Sequence, residues 1–160
     1  KSNVTGLVSR GRRYLSWLRR MRKPFPLSSC SSGRTGHAEV VRILFDPSVI
    51  TFRDLLLIFM GTHDPTTLNR QGADVGTQYR SVIFYHDAQQ QKEAGSVLEE
   101  LKQYFDAPIV TEVSRMTNFF EAEEEHQNYY NSHTRQGYCQ YVISPKLEKL
   151  RRTFAPLLKD

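Results

Sequence analysis

From residue 38 onward the chain alternates short apolar blocks with longer stretches in which apolar residues recur every three or four positions. Val40, Val41, Ile43, Leu44 and Phe45 form an apolar, β-branched run closed by Asp46-Pro47, which predicts a buried strand followed by a turn. Thr51, with Asp54 three positions later, has the form of a capping box opening a helix through Leu55, Leu56, Ile58 and Phe59. The Gly-, Asn- and Asp-rich segment 61–78 is too long for a simple connector, and loops of that length are usually functional. Residues 81–85 predict a second strand. Residues 88–104 predict a helix with Ala94, Val97, Leu98 and Leu101 on one face. Residues 109–113 predict a third strand, 119–131 an acidic helix, and 145–154 a last helix with Leu147, Leu150 and Phe154 turned inward, after a break at Gly137.

Residues 1–36 do not share this pattern. They are rich in Arg, Ser and Gly, carry a Pro-interrupted, Ser-rich stretch at 23–32, and read as poorly ordered. Tyr14, Leu15, Leu18 and Met21 recur at helical spacing against a rim of arginines and predict one short amphipathic helix. Strands alternating with helices, and no repeated segment, indicate a single layered domain of the α/β or α+β class.

A length of 160 residues suits one domain with a core that needs no disulfide staples. No apolar run approaches the roughly 18 residues that cross a bilayer, so no membrane partner is expected. The net charge of +5 is unevenly spread: residues 1–38 hold nine basic residues and no acid, leaving 13 basic and 17 acidic residues, a net of −4, for residues 39–160. The basic character belongs to the N-terminus, not to the domain. Cys30 and Cys139 are too few for a disulfide framework and lack CxxC spacing, which leaves single-thiol or one-pair chemistry.

Polar residues gather in three places: residues 32–39, ending in Glu39; His63-Asp64-Pro65 with residues 69–81; and residues 123–130, followed by Gly137-Tyr138-Cys139. A carboxyl at the mouth of a buried strand would be desolvated and would retain a proton near neutrality, so Glu39 is a candidate general acid; the alternative is an exposed glutamate at a strand end. Asp74 and Tyr79 flank Gly76, and either orient a substrate oxygen or hold the loop together; spacing leaves both open. His37, His63 and His126 lack HExxH or CxxC company, which argues against a metal site, and His126 by itself reads as a solvated residue of an acidic helix.

The strings GRTGHAEVVRILFDP (33–47), HDPTTLNRQGADVGTQYRSVIFYHD (63–87) and FFEAEEEHQNYY with GYC (119–139) resemble, in order and spacing, the core of the peptide methionine sulfoxide reductase A family. The resemblance covers residues from about 33 to 154. It implies an α+β fold, a two-layer sandwich with a mixed sheet, flanking helices and a ferredoxin-like core. It also implies reduction of methionine-S-sulfoxide in oxidised proteins and as the free amino acid. In the family a cysteine thiolate attacks the sulfoxide sulfur, methionine leaves, and the resulting sulfenic acid is resolved to a disulfide that thioredoxin reduces. Carried over by motif, Glu39 donates a proton to the sulfoxide oxygen, Asp74 and Tyr79 hydrogen-bond that oxygen or a water, and His126 joins them as a substrate-binding residue. Cys139 takes the resolving position. No bound cofactor is implied; thioredoxin, thioredoxin reductase and NADPH act from outside, on a monomer in the cytoplasm.

The sequence departs from the family at its N-terminal side. No GCFWG string, which carries the family's nucleophile and its methyl-binding aromatic pair, occurs in these residues, and residues 27–31 stand where a family tyrosine is expected. Residues 1–32 therefore read as a basic, disordered, non-family segment ahead of an incomplete domain at 33–160, with the first strand missing and a sheet edge exposed in its place. Three origins compete: a fragment or frame-shifted product, a mitochondrial or plastid transit peptide, or a segment in which Cys30 is a surrogate nucleophile, its pKa lowered by Arg34 and the neighbouring cations. Readings of another class are a sulfoxide-binding module without turnover and a basic anion or nucleic-acid binder. For the latter, Tyr14 and Trp17 are thin aromatic support.

Overall fold

The computed structural model describes residues 6–10, 36–121, 137, 140 and 144–154. Four strands form one sheet in the order β2–β1–β5–β6, with β1 at Gly6–Arg10, β2 at Val41–Leu44, β5 at Val82–Tyr85 and β6 at Glu112–Arg115. Each of its three pairings is parallel, and the register sets Val41, Leu7, Ile83 and Val113 in one row across the sheet. Antiparallel pairing occurs in a separate two-residue ribbon, β3 (Arg70–Gln71) against β4 (Asp74–Val75), so the two senses of pairing are divided between two sheets.

The expectation that the first-strand position is missing or disordered is corrected by β1. Gly6–Arg10 pairs with β2 on one side and β5 on the other, in the interior of the sheet. The hydropathy pattern could not show this, because Leu7 and Val8 are too short an apolar run to predict a strand. What selects the position is backbone chemistry: β2 and β5 each present N–H and C=O groups that must be paired, and an extended segment between them satisfies both rows.

Helix α1 (Phe52–Thr62) opens on the predicted capping box: the Asp54 amide donates to Thr51 Oγ1 and the Thr51 amide to the Asp54 carboxylate, each at 3.1 Å. Helix α2 (Ala88–Leu101) is capped by Asp87, which accepts from the Gln90 amide, while the Gln90 side chain reaches back to the His86 amide. Helix α3 spans Ser144–Phe154. Helix α1 packs against β1, α2 and α3, and α2 against β5 and β6, giving a helical layer on the sheet. The core between them is Phe52, Leu55, Leu56, Phe59 and Met60 of α1, Ala94 and Val97 of α2, and Ile83 of β5. Such residues each contribute about 1.5–3 kcal/mol of transfer free energy when fully buried. Val82 and Ile83 point to opposite faces and both are fully buried, as in an interior strand covered on both sides.

Two boundaries moved for identifiable reasons. The predicted helix 88–104 ends its α-helical part at Leu101 and tightens into a 3₁₀ turn at Lys102–Tyr104. The predicted strand 109–113 begins instead at Glu112, because the Val110 amide is engaged by the Pro65 carbonyl at 2.8 Å and the sheet ladder starts with the Glu112 amide on the Ser81 carbonyl. The expected helix at residues 14–21 lies outside the described residues, and so does the expected helix at 119–131 from residue 122 onward; residues 119–121 are described and are not helical.

Candidate active site

Three segments converge at the amino-terminal edge of the sheet: residues 36–39 leading into β2, residues 69–81 leading into β5, and Thr111 with Glu112 at the start of β6. The Glu39 amide donates to the Gln78 carbonyl at 2.9 Å, which sets the half-buried glutamate beside the segment carrying Tyr79. Arg80 ties the same segments together through its guanidinium. Nε donates to Glu112 Oε2 at 2.9 Å, Nη1 to the carbonyls of Thr77 (2.9 Å) and His37 (3.4 Å), and Nη2 to the Gly36 carbonyl (3.2 Å). Burial pushes the Glu112 carboxyl upward, but hydrogen bonds from Ser114 and Arg80 outweigh it and hold the pKa below the usual glutamate range.

Asp74 and Tyr79 sit on one continuous device. In the β3–β4 ribbon Asp74 pairs with Gln71, and the Gly76 amide closes on the Asn69 carbonyl at 2.8 Å. The Tyr79 amide then folds back to the Gly76 carbonyl at 2.9 Å as the chain enters a 3₁₀ turn, Thr77–Tyr79. Gly76 adopts φ 145°, and a Cβ there would collide with the Gln78 side chain, so glycine is required both for its conformation and for its lack of bulk. The buried Gln71 side chain anchors the ribbon to α1's exit. Its Oε1 accepts from the Asp64 amide and its Nε2 donates to the Asp64 carbonyl, both at 3.1 Å. The Asp64 carboxyl, in turn, is held below its ordinary pKa by hydrogen bonds from the Thr66 hydroxyl and amide.

A third arrangement joins the helical layer to the sheet edge. His63 stacks on Phe59 with ring centroids 4.0 Å apart; its Nδ1 faces the Phe59 carbonyl at 2.6 Å and its Nε2 faces Ser81 Oγ at 2.7 Å. Ser81 Oγ also meets Thr111 Oγ1 at 2.8 Å. Because a carbonyl can only accept, Nδ1 carries a proton; in the neutral ring Nε2 is then an acceptor, and the chain of donors runs from the Thr111 hydroxyl to Ser81 to Nε2. On the other flank, His37 meets Phe120 edge-on at 5.3 Å, and Arg42 lies 4.5 Å over the Phe119 ring while reaching Glu121 at 3.5 Å. This seats residues 119–121 on the segment that bears Glu39.

Of the residues named from the sequence, Asp74 and Tyr79 lie on one loop, and the Glu39 backbone bonds to residue 78 of that loop. Cys30, His126 and Cys139 lie outside the described residues. Arg80, Gln71, Ser81 and Thr111 were assigned no role from the sequence. Their bonds run to backbone carbonyls and amides, to the Glu112 carboxylate, to the His63 ring and between two hydroxyls, and such bonds leave no mark in hydropathy. Among the described residues no three His, Cys, Asp or Glu side chains converge on a metal-sized site, and no helix is long and apolar enough to cross a membrane.

Comparison with known proteins gives a consistent result. The sequence model of the family described as peptide methionine sulfoxide reductase matches residues 25–157, beginning eight residues ahead of Gly33. Peptide methionine sulfoxide reductase MsrA of Chromobacterium violaceum is 55% identical over 131 residues, covering 81% of this chain and 74% of that protein. Among solved structures, methionine sulfoxide reductase A of Corynebacterium diphtheriae superposes with a TM-score of 0.63 at 34% identity, over 68% of this chain and 56% of that one. The reduced form of Mxr1 from Saccharomyces cerevisiae superposes with a TM-score of 0.57 at 41% identity, over 59% and 52%. The chain spans about half the length of the solved structures it matches.

Proposed function

The chain belongs to the peptide methionine sulfoxide reductase family of oxidoreductases, and from that membership and the geometry of the site we propose that it is the substrate-binding and proton-donating body of a thiol-dependent peptide-methionine (S)-S-oxide reductase. The observation that carries this reading is the Glu39 amide on the Gln78 carbonyl, which holds the glutamate beside the Asp74–Tyr79 device. Glu39 gives a proton to the sulfoxide oxygen as the S–O bond breaks. Asp74 and Tyr79 hold that oxygen in place, and His126 joins them in binding the substrate.

The electron balance needs two thiols for each sulfoxide. A thiolate bonds to the sulfoxide sulfur, methionine departs, and the oxygen stays as a sulfenic acid; a second thiol displaces it as water and leaves a disulfide. Cys30 and Cys139 are the two cysteines of the chain. Cys139 takes the resolving position, and thioredoxin is the external reductant.

The test is reduction of methionine-S-sulfoxide with dithiothreitol, comparing the chain with its Cys30→Ser, Cys139→Ser and Glu39→Gln variants. Turnover that falls about 10²–10⁴-fold on Glu39→Gln supports general-acid catalysis. Turnover that persists after both cysteines are replaced rules out the thiol mechanism, and failure to bind either the substrate or the product removes the reading altogether.

A further inference from the structure

Arg80 is a charged side chain that touches all three segments of the site, and nothing in the proposed chemistry uses it. Four of the guanidinium's five N–H donors are engaged: one by the Glu112 carboxylate and three by the carbonyls of Gly36, His37 and Thr77. The Gly36 and His37 carbonyls lie three and two residues ahead of Glu39, and the Thr77 carbonyl two residues ahead of Tyr79. Its side chain is 19% exposed, whereas that of Glu112 is 42% exposed, and of the four bonds only the one to the His37 carbonyl is part-buried. Gly36 has φ 70°, the left-handed turn that presents its carbonyl together with that of the next residue.

We propose that Arg80 is the positioning residue that sets Glu39 against Tyr79. It acts by holding the main chain of residues 36–37 onto residue 77, with Glu112 fixing the plane of the fork. The inference rests on the reading of Glu39 as proton donor for its consequence, but not for its geometry.

Lysine preserves the charge and not the device, since a single ammonium cannot span a carboxylate and three carbonyls lying in different directions. The fork also gives Glu112 a part in the site. Removing its carboxylate frees Nε and lets the guanidinium rotate away from the Gly36 and His37 carbonyls.

The experiment is amide hydrogen exchange on the full chain, comparing wild type, Arg80→Lys, Arg80→Ala with and without added guanidinium, and Glu112→Gln. The Glu39 amide, whose acceptor is the Gln78 carbonyl, should exchange roughly tenfold faster in Arg80→Lys and Arg80→Ala, the change expected when a hydrogen bond of about 1.4 kcal/mol no longer closes. The Ile83 amide in β5 should be unaffected, and guanidinium should restore protection at Glu39 in Arg80→Ala. Glu112→Gln, which keeps the arginine and the fold, should give a smaller change in the same direction. Unchanged protection at Glu39 in all three variants, or loss at Glu39 matched by loss at Ile83, overturns the proposal. A separate titration of the wild-type chain with methionine-S-sulfoxide judges the functional reading, so either idea can fail without the other.

Discussion

Replacing Ser81 by alanine removes one hydroxyl and breaks two hydrogen bonds, to His63 Nε2 at 2.7 Å and to Thr111 Oγ1 at 2.8 Å. Ser81 is 2% exposed, so water cannot take the hydroxyl's place without opening the sheet edge. A neutral hydrogen bond contributes about 1 kcal/mol net, and a buried group left without a partner costs about 1–3 kcal/mol. Alanine fills nearly the same volume, so the cavity term is small and the polar term decides: a loss of about 2–3 kcal/mol is expected. For a chain of this size each kcal/mol moves the midpoint by about 2–4 °C, so Tm should fall by about 5–10 °C. Urea unfolding at pH 7 gives the free energy directly, and Thr111→Val, which breaks one of the two bonds, should cost about half as much. A double-mutant cycle of the two changes should show coupling well above the roughly 0.5 kcal/mol seen for independent sites. A Ser81→Ala loss under about 0.5 kcal/mol, the range of an ordinary surface substitution, would refute the directional chain from Thr111 to His63.

Three further outcomes follow from the same geometry. Thr51→Ala should cost about 1 kcal/mol through loss of the α1 capping box, measured by urea unfolding, with no change in binding of methionine-S-sulfoxide. Gly76→Ala places a Cβ against the Gln78 side chain at φ 145° and should cost about 1–3 kcal/mol, and unlike the cap variant it should weaken binding of the sulfoxide in a calorimetric titration. Asp64 and Glu112 both have folded-state pKa values below their ordinary ones, so the stability they contribute is present above about pH 4 and is lost as the pH falls through the folded values. Acid unfolding of Glu112→Gln should therefore show a shallower loss of stability below about pH 4 than wild type, while at pH 7 the variant is the less stable of the two.

How much of this was legible in the sequence depended on the kind of interaction. The capping box at Thr51 and Asp54 is written in side chains at fixed spacing, and the core face of α1 and α2 is written in apolar period; both were readable and both stand. The start of β6 was not, because it depends on Val110 giving its amide to Pro65, a residue 45 positions earlier, instead of to the sheet. The strand at Gly6–Arg10 was missed for a related reason: backbone pairing on both sides places it, and no hydropathy period marks it. Glu39, Asp74 and Tyr79 are candidates that motif resemblance names, whereas the bonds of Arg80, one letter of the same motif, are visible only when its donors are followed to three carbonyls and a carboxylate.

The central claim is that the cluster around Glu39, Asp74 and Tyr79 recognises one epimer of methionine sulfoxide. An isotope-edited NMR titration of the chain with methionine-S-sulfoxide and with methionine-R-sulfoxide tests it most directly. The account predicts saturable shifts at Glu39, Asp74 and Tyr79 with the S epimer, weakened by Glu39→Gln and absent with the R epimer. Equal shifts with both epimers, or none with either, would contradict it.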